Sequence, residues 1–246
     1  MKRWLLVPLL VCLGAIPAAA NTAPTLVSTT VVAFNTGGSP KSSASISWNA
    51  GDLIEFQGGA EDTSAISVPT ATGLTFASVR SNSGGSSCAS QLATATAASS
   101  GSSVITDTYA GGSNHWGFVV RVWRNSNGFG NSAEQHTATK TVALAPLGGA
   151  DSAISWSIFD FSAAALQTDT PTPTNQPTRG VDSGRYTFYT DDLDDQTGTG
   201  SVNYGISGTS SGPFSIVVLE IEGTSSGGGS TPGFDKRSKL DKLDPL

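Results

Sequence analysis

Cysteine, histidine and charge are all scarce in this chain, and each scarcity excludes something. Of its two cysteines, Cys12 lies in an apolar leader. The mature chain therefore keeps Cys88 alone and can form no internal disulfide. Cys88 reads as a small buried hydrophobe, since no basic partner that would activate a thiol stands near it. The two histidines are His115 and His136. Neither adjoins a G-x-S-x-G elbow, so a serine nucleophile with a histidine base is not expected. Charged residues make up 13% of the chain, and no cluster of lysine and arginine accompanies the aromatics in its body. Nucleic-acid binding and attachment to an anionic membrane both need a basic face, so neither is expected. Apart from the leader, no stretch is apolar enough to cross a membrane.

The leader itself is MKRWLLVPLLVCLGAIPAAA. Lys2 and Arg3 form a positive start, Leu5 to Ile16 an apolar middle, and Ala18 to Ala20 a small-residue cleavage site. That order defines a secretory signal, with cleavage expected after Ala20. Leu10 and Val11 stand where a lipoprotein signal needs a small residue before its cysteine, so a plain signal is the better reading. No membrane insertion is expected once it is removed. The destination is extracellular, with the periplasm or cell surface as variants. Without Lys2 and Arg3 the chain carries 11 basic and 19 acidic residues, a net charge of −8.

What the sequence has in abundance is serine, threonine, glycine and a period of two. SASISW (43–48) and LIEFQ (53–57) flank the turn signal NAGD. Further runs are LTFASVR (74–80), CASQLATATA (88–97), SVITDTYA (103–110), HWGFVVRVWR (115–124) and QHTATKTVAL (135–144). SAISWSIFDF (152–161), GRYTFYT (184–190) and FSIVVLEIE (214–222) complete the series. Such runs, divided by Gly, Ser, Asn or Pro, predict an all-β fold of about eleven strands. The expected form is an antiparallel two-sheet β-sandwich, jelly-roll-like, over residues 21–223. One helical turn fits at 162–167, and the proline-rich 168–178 reads as an exposed loop. Residues 224–246 read as a Gly/Ser linker and a charged tail. That tail is a disordered end, a cloning remnant or a docking peptide with leucines at 240, 243 and 246.

Three groups of residues could carry a site. The carboxylates Asp52, Glu55, Glu61, Asp62, Asp107, Asp151 and Asp160 qualify by type for glycoside cleavage, but sequence cannot pair them in space. TDDLDD (190–195) places Asp191, Asp192, Asp194 and Asp195 together. It reads as a solvated acidic loop, or as a weak structural calcium site lacking the EF-hand pattern. The third group is in the strand 115–124. Trp116, Phe118, Val120 and Val122 form one apolar face, expected in the core. His115, Arg121 and Trp123 lie on the other face. If exposed, Trp123 beside Arg121 could stack on a sugar ring while the guanidinium binds hydroxyls; if buried, the ring fills space against an arginine stem. Asn125 to Gly130 reads as a Gly-rich turn needing positive φ.

SWNAGDLIEFQGGAED (47–62), PTATGLTFASV (69–79), WGFVVRVWRNSNGFG (116–130), ADSAISWSIFDFSA (150–163) and FSIVVLEIEG (214–223) occur in this order. Together they resemble a group of β-sandwich minor tail and virion-associated structural proteins of bacteriophages. The likeness covers most of 42–223 and rests on turn glycines, core tryptophans and strand-opening aspartates. It implies a sandwich fold and a non-enzymatic role, and it brings no catalytic residue. The chain departs from that group in carrying an export signal. The function expected is therefore a secreted, non-enzymatic surface or virion-type structural or binding protein, with surface polysaccharide or self-assembly partners. The alternatives are a phage tail or capsid decoration component and a secreted polysaccharide-active enzyme on a jelly-roll scaffold.

Overall fold

A computed structural model describes residues 21–36, 38–82, 88–111, 115–136, 139–147, 151–160, 168–182, 186–196, 200–207 and 214–225. The signal, the expected helical turn at 162–167 and the tail from 226 onward lie outside the described residues. Asn21–Thr224 forms one compact unit.

The unit is all-β. Its strands are β1 (Asn21–Thr22), β2 (Thr25–Thr36), β3 (Lys41–Ser42), β4 (Ile46–Trp48), β5 (Leu53–Ala60) and β6 (Ala77–Asn82). These are followed by β7 (Ala89–Thr96), β8 (Gly101–Ser103), β9 (Thr106–Asp107), β10 (His115–Arg124), β11 (Ser126–Gln135) and β12 (Thr141–Leu144). The last six are β13 (Ser152–Asp160), β14 (Thr168–Thr170), β15 (Asn175–Asp182), β16 (Tyr186–Gln196), β17 (Val202–Ser207) and β18 (Phe214–Ser225). A first sheet runs β2-β10-β5-β7-β6, and a second runs β1-β18-β13-β16-β15 with β11 also on β18. A third sheet is β12-β17-β14, and β3-β9 and β4-β8 are two-stranded ribbons. The pairings among β2 to β18 are antiparallel.

The sequence reading counted about eleven strands in two sheets, and the structure divides the chain more finely. Ribbon strands of two or three residues are too short to show a period. The extra sheets also explain a second feature. Strands β5, β10, β13 and β18 are buried almost throughout rather than on alternate residues. A strand looks like this when both of its faces are covered. On β10, Trp116, Phe118, Val120 and Val122 pack with Ile46 and Trp48 of β4, Ile54 and Phe56 of β5, and Ile105. The opposite face brings Trp123, Leu53 and Leu92 of the first sheet against Ala153, Leu219 and Ile221 of the second. The outer face of the second sheet, with Ile154, Trp156, Ile158, Ile216 and Val218, packs on Leu144, Tyr204 and Ile206 of the third.

The proline-rich segment is not wholly a loop, since β14 and β15 lie within it. Asn125 turns the chain from β10 in the first sheet to β11 on the second, with φ of 58°. The expected turn at 125–130 is thus largely one residue, and Ser126 to Gly130 already pair as strand. Arg80 of β6 ties two sheet edges together: its Nε donates to Ser132 Oγ of β11 at 2.9 Å and its Nη2 to Ser132 O at 2.7 Å.

Where the first two sheets meet, Gly59 is required for a close approach. A Cβ added there would lie 2.8 Å from the Phe159 ring. Gly59→Ala is expected to destabilise by about 1–3 kcal/mol through overpacking, read as a lower urea midpoint with unchanged slope.

Candidate functional site

The two residues expected to form an exposed platform are instead at the centre of the molecule. Trp123 and Arg121 each have 0% exposure. The platform expectation is therefore corrected: the face of β10 that carries them is covered by the second sheet. Trp48, Trp116 and Trp156 are buried as well, so among the described residues no tryptophan offers a surface for stacking.

What Arg121 and Trp123 surround is a buried carboxylate. Glu55 stands opposite Arg121 in the β5–β10 ladder and is itself 0% exposed. Trp123 Nε1 donates to Glu55 Oε2 at 2.8 Å. Ser155 Oγ, from β13 of the second sheet, donates to Glu55 Oε1 at 2.7 Å. Gln57 Nε2 donates to the same oxygen. The Arg121 guanidinium lies 3.5 Å from it through Nη1, while Nη2 donates to Trp156 O across the sheets at 3.3 Å. Each of these side chains points into one space because β5 and β10 alternate in phase: Leu53, Glu55 and Gln57 face the same way as Trp123, Arg121 and Val119. Beside this cluster a small pocket is lined by Gln57, Gly58, Gly59, Ser157, Phe159, Ser215 and Val217. None of those lining residues is titratable.

His115 belongs to a different place. Eight extended residues separate it from Trp123, a distance of about 26 Å along the strand. The three expected ligand-binding residues thus do not converge. His115 Nδ1 lies 2.9 Å from Glu61 Oε2, and its side chain keeps 15% of its exposure. The same end of the first sheet holds Tyr109, which donates to Asp62 Oδ1. Lys41 Nζ donates to Trp116 O at 2.6 Å and sits 4.8 Å from the centre of the Trp116 ring. Burial lowers the Lys41 ammonium to about 8. Burial also raises the nearby Asp107 carboxyl to about 6, against hydrogen bonds from Ser67 and from the Thr108 backbone that pull it down.

The other candidate carboxylates hold the framework. Asp52 accepts from the Asn49 amide at 2.8 Å, closing the turn before β5, and pairs with Arg124 at 2.9 Å. Glu220 is fully buried and accepts from Asn131 N, Leu147 N and Ser152 Oγ at 2.9, 2.8 and 2.8 Å. Asp160 meets Lys140 in a buried ion pair. The acidic run at 190–195 is part of strand β16 rather than the loop expected, since its backbone pairs with β13 and in part with β15. Asp192 is buried there; the side chains of Asp191, Asp194 and Asp195 lie outside those described. Cys88 is also buried, and both burial and the nearby Asp160, Glu61 and Asp62 hold its thiol well above the usual range.

Sequence reasoning named Glu55 and Asp160 only by residue type, and it missed Gln57, Ser155, Lys140, Asp169 and Glu220. One signal was available. In a chain with so few charges, a charged residue within a hydrophobic strand run, such as Glu55 in LIEFQ or Glu220 in FSIVVLEIE, sits where a partner must neutralise it. No protein-family model matches the chain, and no curated protein or solved structure shows significant similarity to it.

Two outcomes follow. Arg121→Leu leaves Glu55 buried without its cation and is expected to cost about 3–5 kcal/mol in urea unfolding, whereas Glu55→Leu together with Arg121→Leu costs less than the single change. For Asp107 the folded carboxyl titrates above its unfolded value, so the folded state binds the extra proton. Stability from this group is full below about pH 4 and is lost as pH rises to about 6. Asp107→Asn should therefore gain in melting temperature relative to wild type as pH climbs from 4 to 7; a constant difference would refute the assignment.

Proposed function

We propose that this chain is an exported, non-enzymatic structural or binding protein of a cell surface or virion, built on a β-sandwich. The two large facing sheets, with the third sheet and the ribbons covering their outer faces, support the sandwich; a jelly-roll-like arrangement is the finer reading. One observation carries the functional part. Among the described residues, the carboxylates Glu55, Asp52 and Glu220 are each engaged by neighbouring strands or turns. A carboxylate tied this way serves as a strut, and it is not free to exchange protons with a substrate. The resemblance of its ordered motifs to phage virion proteins favours the same role, and a tail or decoration component is its narrower form.

Surface polysaccharide is the proposed partner, with self-assembly as the companion property. With every described tryptophan buried, Phe129 of β11, 42% exposed, is the aromatic among the large apolar side chains open to solvent in the described residues. The deciding measurement pairs a glycan array with sedimentation velocity across a range of concentrations. The purified chain is expected to bind polysaccharide, with Phe129→Ala weakening the binding, or to form concentration-dependent oligomers. A monomer at all concentrations that binds no glycan would remove this reading. Release of reducing ends from a polysaccharide would replace it with the enzyme alternative.

A further inference from the structure

Lys140 and Asp160, like Arg121 and Glu55, form a fully buried ion pair, and here the cation is a primary amine. The Lys140 and Asp160 side chains are essentially inaccessible, at 1% and 0% exposure, and Lys140 Nζ is in direct contact with Asp160 Oδ2. Their positions follow from register. Asp160 ends β13 in phase with Ile154, Trp156 and Ile158, so it faces the third sheet with them. Lys140 immediately precedes β12, and its carbonyl accepts from Ile206 N at 3.0 Å, extending the ladder that pairs Thr141 with Gly205. Gly205 makes this possible, because a Cβ there would lie 2.1 Å from Lys140 O. On the far side of the same strand, Asp169 of β14 pairs with Ile206. Lys140, Ile206 and Asp169 therefore form one row across three strands and share a face. Two strand spacings, about 10 Å, separate the Lys140 and Asp169 backbones. Asp169 is 5% exposed, and the enclosure is walled by Trp156, Ile158, Tyr204, Ile206 and Phe214.

An ammonium and a carboxylate enclosed in this way are the two halves of an amide. We propose that Lys140 and Asp160 condense in the folded chain to an intramolecular amide crosslink. A proton passes from the ammonium to the carboxylate, giving amine and acid. The Nζ lone pair attacks Asp160 Cγ and the N–C bond forms. One C–O bond of the acid then breaks, and that oxygen leaves with two hydrogens as water. The amide nitrogen keeps the third hydrogen of the original ammonium, so atoms and charge balance and no oxidant or cofactor enters. Held in contact, the two groups react at an effective concentration that can reach about 10⁵ M or more, and the apolar walls disfavour the return of water. The product is a covalent staple between the start of β12 and the end of β13.

Trypsin makes the test direct. No lysine or arginine lies within 125–139 or 141–178, so an uncrosslinked chain yields peptides 125–140 and 141–179. Acylated Lys140 resists cleavage, and the crosslinked chain yields a single 125–179 peptide lighter than its sequence by one water. Mass spectrometry of the folded wild-type chain should show that peptide, with fragmentation placing the loss between Lys140 and Asp160. Lys140→Arg should restore both peptides at full mass. A folded wild-type chain whose 125–179 region keeps its full mass after prolonged incubation would overturn the proposal, and needs no variant to do so.

Discussion

A carboxylate with no access to water sits between the two largest sheets, and the central packing is arranged around it. Glu55 has Trp123 on one oxygen and Ser155, Gln57 and Arg121 on the other. An ionised group buried without such partners would be too costly to tolerate. Its partners come from β5 and β10 of the first sheet and from β13 of the second, so meeting its needs also aligns the sheets. A register slip by one residue on β5 or β10 would turn these groups to the opposite face and leave the carboxylate unmatched. The cluster is therefore as much a device for register and alignment as a source of stability.

The same logic recurs at smaller scale. Glu220 gathers two backbone amides and Ser152, holding the segments around Asn131 and Leu147 against β18. Asp52 closes the turn before β5 and pairs with Arg124 at the far end of β10. Lys140 and Asp160 join the third sheet to the second. With few charges available, the chain places its charged groups at junctions between layers, where apolar packing alone would leave the angle and register of the sheets loosely specified. The scaffold role proposed above rests on that arrangement.

Much of the fold was legible beforehand. Period-two runs marked the long strands, and the even face of β10 went into the core as its residues required. The turn aspartate Asp52 behaves as its position before a strand implied. Three things were not legible. Ribbon strands of two or three residues carry no period. The acidic run at 190–195 reads as solvated by composition, yet its backbone belongs to a strand and Asp192 is buried. The odd face of β10 is polar in sequence and buried in space, because its polarity answers a carboxylate on the neighbouring strand.

What the sequence determined by itself was local: which segments extend and where they turn. Those properties depend on alternation and on Gly, Asn and Pro at turns. What tertiary structure alone decided was the meaning of the polar residues. Arg121 and Trp123 could have faced sugar and solvent or an internal carboxylate, and the spacing along β10 is identical in both cases. The choice was made when a second sheet covered that face, since only then did Glu55, Ser155 and the guanidinium come within hydrogen-bonding or ion-pairing distance. Lys140 and Asp160, twenty residues apart in the chain, likewise became a pair only because β17 carries β12 across the face of β13.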